Sequence, residues 1–260
     1  MDPASLPLLE HGQLRKRWRY VGVFAEELML CAARAEVGPL TQSFWIFWDR
    51  QDRRHEARTI LVPGSSEVTL DGPRLEIDSP DLRVSLRLGA VAPIEVTNPS
   101  GKGQAWTRKR VGMPVEGTVE VPGKRWQVIG RGVDDESAGH HQRHTSWRWS
   151  AGVGESTDGR SLAWNLVEGI NDPESGSERA IWIDGEPAEP PPVRFDGTEG
   201  IDLSESERLD FAGESEHIHN ENYLLIRSDY RHQFGSFSGS LGGVELGEGL
   251  GVMEEHDARW

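Results

Sequence analysis

LRVSLRL, Leu82 to Leu88, alternates without a break. Leu82, Val84, Leu86 and Leu88 project to one side and Arg83, Ser85 and Arg87 to the other, the two-residue period of a half-buried strand. A strand with one dry and one wet face belongs to an antiparallel sheet, because parallel strands are normally covered on both sides.

Outward from this strand the pattern persists. Upstream, Arg17–Phe24, Leu28–Ala35 and Thr41–Arg50 read as a meander. In the third, Trp45 and Phe47 share a face with Ser43 and Asp49 while Phe44, Ile46 and Trp48 share the other, so both faces are expected to be covered. Arg58–Val62, Glu67–Leu70, Leu75–Ile77 and Ile94–Thr97 read as shorter strands separated by PGSS, DGP and DSPD turns. Downstream, Tyr223–Ser228 and Tyr230–Ser240 read as strands joined by a bend at Ser228-Asp229, and Val244–Trp260 as the last strand. Ser204–Arg208, SESER, is the only helical candidate. Thirty glycines and fifteen prolines suit a chain of short strands and turns. The fold class that follows is all-β and antiparallel, a sandwich or barrel architecture in two packed β halves. Composition changes at Asn98–Gly103 and again at Gly130–Gly139; the first places the halves at residues 1–110 and 111–260. Pro187–Pro192, PAEPPP, reads as a stiff connector.

The 260 residues carry a net charge of -15, which disfavours nucleic-acid binding, since that rests on neutralising phosphates. No apolar run reaches the ~20 residues of a spanning helix, so no integral membrane association is expected. The first twenty residues place a basic cluster after a short apolar patch, the reverse of a secretory signal, and a cytoplasmic location is the expectation. Cys31, the single cysteine, excludes an intramolecular disulfide and reads as a buried thiol. Four cations cluster around Trp106 in Lys102–Arg110, read mainly as a solvated hairpin end and secondarily as a site for an anionic group.

Reactive groups concentrate in two stretches. Gly139–Asn171 holds three histidines and three tryptophans. A strand from His144 puts Thr145, Trp147, Trp149 and Ala151 on one face, and the return strand groups Leu162, Trp164, Leu166 and Glu168, an apolar wall ending in a carboxylate whose pKa burial should raise. Along Val244–Trp260, in the absence of a bulge, Val244, Leu246, Glu248, Leu250, Val252, Glu254 and His256 share a face, while Gly247, Gly249 and Gly251 line the other and admit another backbone or a ligand. A carboxylate and imidazole on one strand face can shuttle a proton. His140, His141 and His144 lack the helical spacing and intervening glutamate of a zinc-peptidase motif; His217 and His219, followed by Glu221, are the better strand-type pair, since alternate residues share a face, but sit in a solvated-looking segment. No metal site is assigned. Walker, dinucleotide and nucleophile-elbow motifs are all missing from the sequence, so no cofactor is implied.

RWRYVGVF (Arg17–Phe24), ELMLCAAR (Glu27–Arg34), SFWIFWDR (Ser43–Arg50), HTSWRWSAGVG (His144–Gly154), NLVEGIND (Asn165–Asp172) and the block from Phe234 to Trp260 resemble the DUF2804 family of bacterial proteins. The tryptophan-laced β layout is more loosely similar to double lipocalin-like proteins, which include carotenoid hydratases. That similarity implies two packed lipocalin-like barrels, a ligand cavity and cofactor-free action on hydrophobic substrates. The expected function is binding of a hydrophobic or amphipathic small molecule in a β-barrel cavity, with acid-base hydration, isomerisation or cyclisation. A lipid or terpenoid carrier and a surface-interaction module with a filled core are the alternatives. Glu254, His256, Glu168 and His144 are the catalytic candidates; Trp147, Trp149, Trp164 and Arg148 are the ligand-binding candidates.

Overall fold

The computed structural model describes residues 3–62, 67–223 and 226–259. A two-stranded ribbon, β1 (Leu9–Glu10) and β2 (Gln13–Leu14), precedes two large sheets. The first contains β3 (Lys16–Phe24), β4 (Leu28–Val37), β5 (Leu40–Asp49), β6 (Arg54–Val62), β7 (Val68–Asp71), β8 (Arg74–Asp78), β9 (Arg83–Leu88), β10 (Ile94–Ser100), β11 (Gly103–Val121) and β12 (Lys124–Gly139). The second contains β13 (His144–Ser156), β14 (Ser161–Glu168), β15 (Ala180–Ile183), β16 (Glu186–Ala188), β17 (Arg194–Asp196), β18 (Gly200–Asp202), β19 (Arg208–Tyr223), β20 (Ile226–Leu241) and β21 (Val244–Arg259). Every recorded pairing is antiparallel.

The two sheets share one topology. In each, four strands run as a meander, pairing breaks off, and the rest of the meander returns its last strand to the first: β12 onto β3, and β21 onto β13. Each sheet thus curls into a half-barrel, giving two packed lipocalin-like halves. The change of sheet falls at residues 140–143. The expected boundary between residues 110 and 111 falls inside β11, a continuous strand whose two ends pair with β10 and β9 in turn, and the acidic stretch Gly130–Gly139 is part of β12.

Three apolar clusters organise the molecule. One fills the first half-barrel, with Val21, Leu30, Phe47 and Val84 among its members, and another the second, with Leu162, Trp164, Phe237 and Met253. The third lies between the sheets, where Tyr20, Met29, Cys31 and Ile46 meet Trp149, Ala163, Phe234 and Val252. LRVSLRL keeps its alternation, with its leucines and valine inside the first half-barrel.

Several local expectations are corrected. Ser204–Arg208 is not helical: the Leu203 amide donates to the Glu207 carbonyl in a tight turn that leads into β19. The chain runs straight through Ser228-Asp229 within β20, and these residues pair with Glu221 and Asn220. Leu224, Leu225 and Trp260 lie outside the described residues. The last strand carries an irregularity between Leu246 and Glu248–Gly249 in its pairing with both neighbours. Upstream, Val244 and Leu246 therefore face the second half-barrel's interior, while Leu250, Val252, Glu254 and His256 face the other sheet.

Of the glycines of β13 and β21, Gly247 and Gly251 lie against the backbone of β13, whereas Gly152 and Gly249 admit a side chain. A Cβ at Gly152 would stand 2.2 Å from the ring of the fully buried Trp164, and one at Gly249 would stand 3.1 Å from the same ring. Gly152→Ala is expected to cost about 2–3 kcal/mol in denaturant unfolding, as overpacking of a closed core does. Trp164→Phe should recover part of that loss in the double variant; strict additivity of the two substitutions would contradict the packing assignment.

Candidate active site between the half-barrels

The cavity of about 430 Å³ is not inside either barrel but between the sheets. This corrects the expected location, because the barrel interiors are occupied by side chains. Trp18, Tyr20 and Phe44 form one wall and Trp147, Trp149 and Tyr230 the other. Leu40 and Leu61, which are exposed, mark where it opens to solvent.

Strand register brings the polar groups of the second sheet together. On β21, Glu254 lies between Trp149 of β13 and His232 of β20, and His256 lies between Trp147 and Tyr230. Directly opposed residues share a face, so all six point toward the first sheet. The diagonal contacts then hold the carboxyl: Trp147 Nε1 donates to Glu254 Oε1 at 2.9 Å and the Tyr230 hydroxyl to Oε2 at 2.8 Å. Burial pushes the Glu254 carboxyl up to about 7, against the opposing pull of these two donors. Burial pushes His256 down to about 4; its Nε2 lies 2.8 Å from Ser228 Oγ and its ring packs against Trp147 at 4.4 Å. At neutral pH the imidazole is therefore uncharged, while the carboxyl is near the midpoint of its titration. Burial also lifts the Tyr230 phenol well above its ordinary range, so it stays a donor.

Other expected residues lie elsewhere. Trp164 sits opposite Gly152 and so fills the second half-barrel, facing away from Trp147 and Trp149. Glu168 and Arg148 are an opposed pair on that same face; Arg148 binds Glu168 at 3.4 Å and Glu255 at 3.0 Å, and both are partly solvent-exposed. His144 is half exposed and pairs with Asp257 at 2.8 Å. Neither Glu168 nor His144 reaches the cavity, so the expected partnership with Glu254 and His256 is not formed by them. His140 contacts Glu10 at 3.0 Å and His141 packs on Trp18 at 4.6 Å, so the three neighbouring histidines have three different partners.

Sequence reasoning missed one group and placed another in solvent. Lys109 and Asp135, opposed on β11 and β12, form a 2.7 Å ion pair on the cavity wall, with Glu178 at 3.3 Å from the same ammonium. The signal was present in the basic run at Lys102–Arg110 and the acidic run at Gly130–Gly139, which are complementary once aligned. Arg108 pairs with Glu136 and Arg110 with Asp134, so the cations expected for an anionic ligand are already neutralised. His217 and His219 alternate along β19 as a strand pair and line the cavity with Glu221, which accepts from Gln42 across the sheets at 2.9 Å. Burial, reinforced by the neighbouring imidazoles of His55 and His219, holds His217 down to about 4.

A family model described as a domain of unknown function, DUF2804, matches residues 74–260. The chain belongs to the DUF2804 family. The DUF2804 match leaves out the first three sequence blocks quoted for the resemblance and includes the last three. No curated protein matches the sequence. Among solved structures, a candidate AttH from Nitrosomonas europaea is similar over 96% of each chain at 13% identity and a TM-score of 0.56. Kievitone hydratase from Nectria haematococca covers 92% of this chain and 88% of its own, at 11% identity and a TM-score of 0.59. CghA, solved with Sch210972, covers 94% and 88%, at 8% identity and a TM-score of 0.51. At these identities the likeness is one of fold.

Glu254 provides a direct test of the site's electrostatics. Its folded-state value lies above the ordinary 4.5, so its proton contributes stability that is complete below about pH 4.5 and lost as pH rises through about 7. Relative to Glu254→Gln, the wild-type protein should lose on the order of 3 kcal/mol between about pH 5 and about pH 8. Urea unfolding of both proteins across that range measures the difference, and His256 titrates in each and cancels. A pH-independent difference would show that the carboxyl is not desolvated.

Proposed function

We propose that the protein takes a hydrophobic or amphipathic small molecule into the cavity between its half-barrels and transforms it by cofactor-free acid-base chemistry, with Glu254 as proton donor and acceptor. The observation that carries this reading is the position of Glu254: a buried carboxyl on the wall of an aromatic cavity, held by two neutral donors and titrating near pH 7. A group whose pKa matches the working pH gives both a useful protonated fraction and a useful driving force for transfer. An aromatic wall also shields a carbocation-like or enol-like centre from water.

Trp147 and Tyr230 orient the carboxyl, and His256, uncharged beside it, lines the same wall. Addition of water, isomerisation and cyclisation all begin with a proton delivered to an alkene or carbonyl, and this geometry suits each. Kievitone hydratase, a hydratase by name, supports hydration as the reaction to test first.

Incubation with a lipid-soluble extract in deuterium oxide is expected to yield a product carrying solvent deuterium at carbon, detected by mass spectrometry. Its formation should fall at least about 10²-fold in Glu254→Gln, the scale of a lost general acid. Ligand retained equally by both proteins with no deuterium incorporated would identify a carrier instead.

A further inference from the structure

The Lys109, Asp135 and Glu178 group is a second polar corner of the same cavity, and Glu254 chemistry leaves it unexplained. All three side chains are buried. Lys109 extends from β11, Asp135 from the opposed position on β12, and Glu178 from the segment before β15, so the corner joins the two half-barrels. Asn171, held at φ 50°, donates through Nδ2 to Glu178 Oε2 at 3.0 Å. A buried ion group of this kind is weak evidence of stabilisation, because apolar packing of the same volume is often as good or better.

Its hydrogen bonding is incomplete in one place. Asp135 Oδ2 receives the Lys109 ammonium, but Oδ1, equally buried, has no protein partner among the described residues. A buried carboxylate oxygen without a donor is costly, and its side chain lines the cavity. One lysine facing two carboxylates leaves no surplus positive charge for an acid. The oxygen suits a neutral donor.

We propose that this corner recognises a hydroxyl group of the ligand, which donates to Asp135 Oδ1, so that the cavity selects a hydroxylated hydrophobic molecule over the bare hydrocarbon and over its carboxylate counterpart. The proposal rests on the cavity being a binding site for hydrophobic small molecules. It goes further in naming the polar group and the side chain that reads it.

Binding of naphthalene, 2-naphthol and 2-naphthoate, followed by tryptophan fluorescence and calorimetry at neutral pH, separates the two claims. Wild-type protein should bind 2-naphthol about tenfold tighter than naphthalene, the scale of one hydrogen bond to a charged acceptor, with 2-naphthoate weakest. The triple variant Lys109→Met, Asp135→Leu, Glu178→Gln removes the charges together, and in it the naphthol preference over naphthalene should fall below about twofold. If circular dichroism shows that variant unfolded, Asp135→Asn, which leaves Lys109 with Glu178, should reduce the preference about threefold, since the acceptor loses its charge. Equal binding of naphthol and naphthalene to wild type, or a preference for naphthoate, would overturn the hydroxyl assignment alone. A preference that survives the triple variant but disappears in Glu254→Gln would move the hydroxyl to Glu254. Failure of all three probes to bind wild type would overturn the cavity reading with it.

Discussion

The structure depends on strands that are dry on both faces. In β4, Leu28, Leu30 and Ala32 fill the first half-barrel while Met29, Cys31 and Ala33 pack against the second sheet; β3 divides Val21 and Val23 from Tyr20 and Phe24 in the same way. Curling a sheet buries one face; only a second sheet laid against it buries the other. The cavity is enclosed by that contact, so every polar group on the contact face loses water. The shifts at Glu254, His256 and His217 share this first cause.

The same constraint decides what the sequence could reveal. LRVSLRL has one wet face and shows its period openly. LMLCAA has none, and a continuous apolar run states burial without saying which side meets which core. Both faces of Thr41–Arg50 were legible as covered because aromatics occupy both parities. Trp164 was misassigned for a related reason: alternation groups residues within a strand, but only the register, Gly152 opposite Trp164, joins the groups of two strands. Glu254 and His256 were legible because their apolar neighbours Leu250 and Val252 share their parity.

Bulges erased the rest. On β11 the register shifts between Val111 and Met113, where Gly112 takes a positive φ of 87°. Lys109 and Val111 consequently face the second sheet, whereas Met113 and Val115 enter the first half-barrel. Read with one uninterrupted parity, the strand gives Lys109 a place in the barrel interior or on its outside according to which end is trusted. Nothing in the local pattern identifies its partner on β12, twelve positions beyond the hairpin turn at Pro122-Gly123, until pairing is known. The missed pair, Lys109 with Asp135, and the pair expected in solvent, His217 with His219, thus come from long paired strands whose composition looks solvated.

Within the dry contact, partner type separates the carboxyls. Asp135 and Glu178 share an ammonium, whereas the recorded hydrogen bonds to Glu254 come from an indole N–H and a phenol O–H. Neutral donors restore part of the lost hydration but no compensating charge, so the proton is retained to about pH 7. The corners also communicate: negative charge on Asp135 raises Glu254, and the Lys109 ammonium lowers it. A donor placed on Asp135 favours its ionised form, and an ionised Asp135 favours the protonated form of Glu254. On the proposed reading, a ligand hydroxyl on Asp135 would therefore bias Glu254 toward holding its proton.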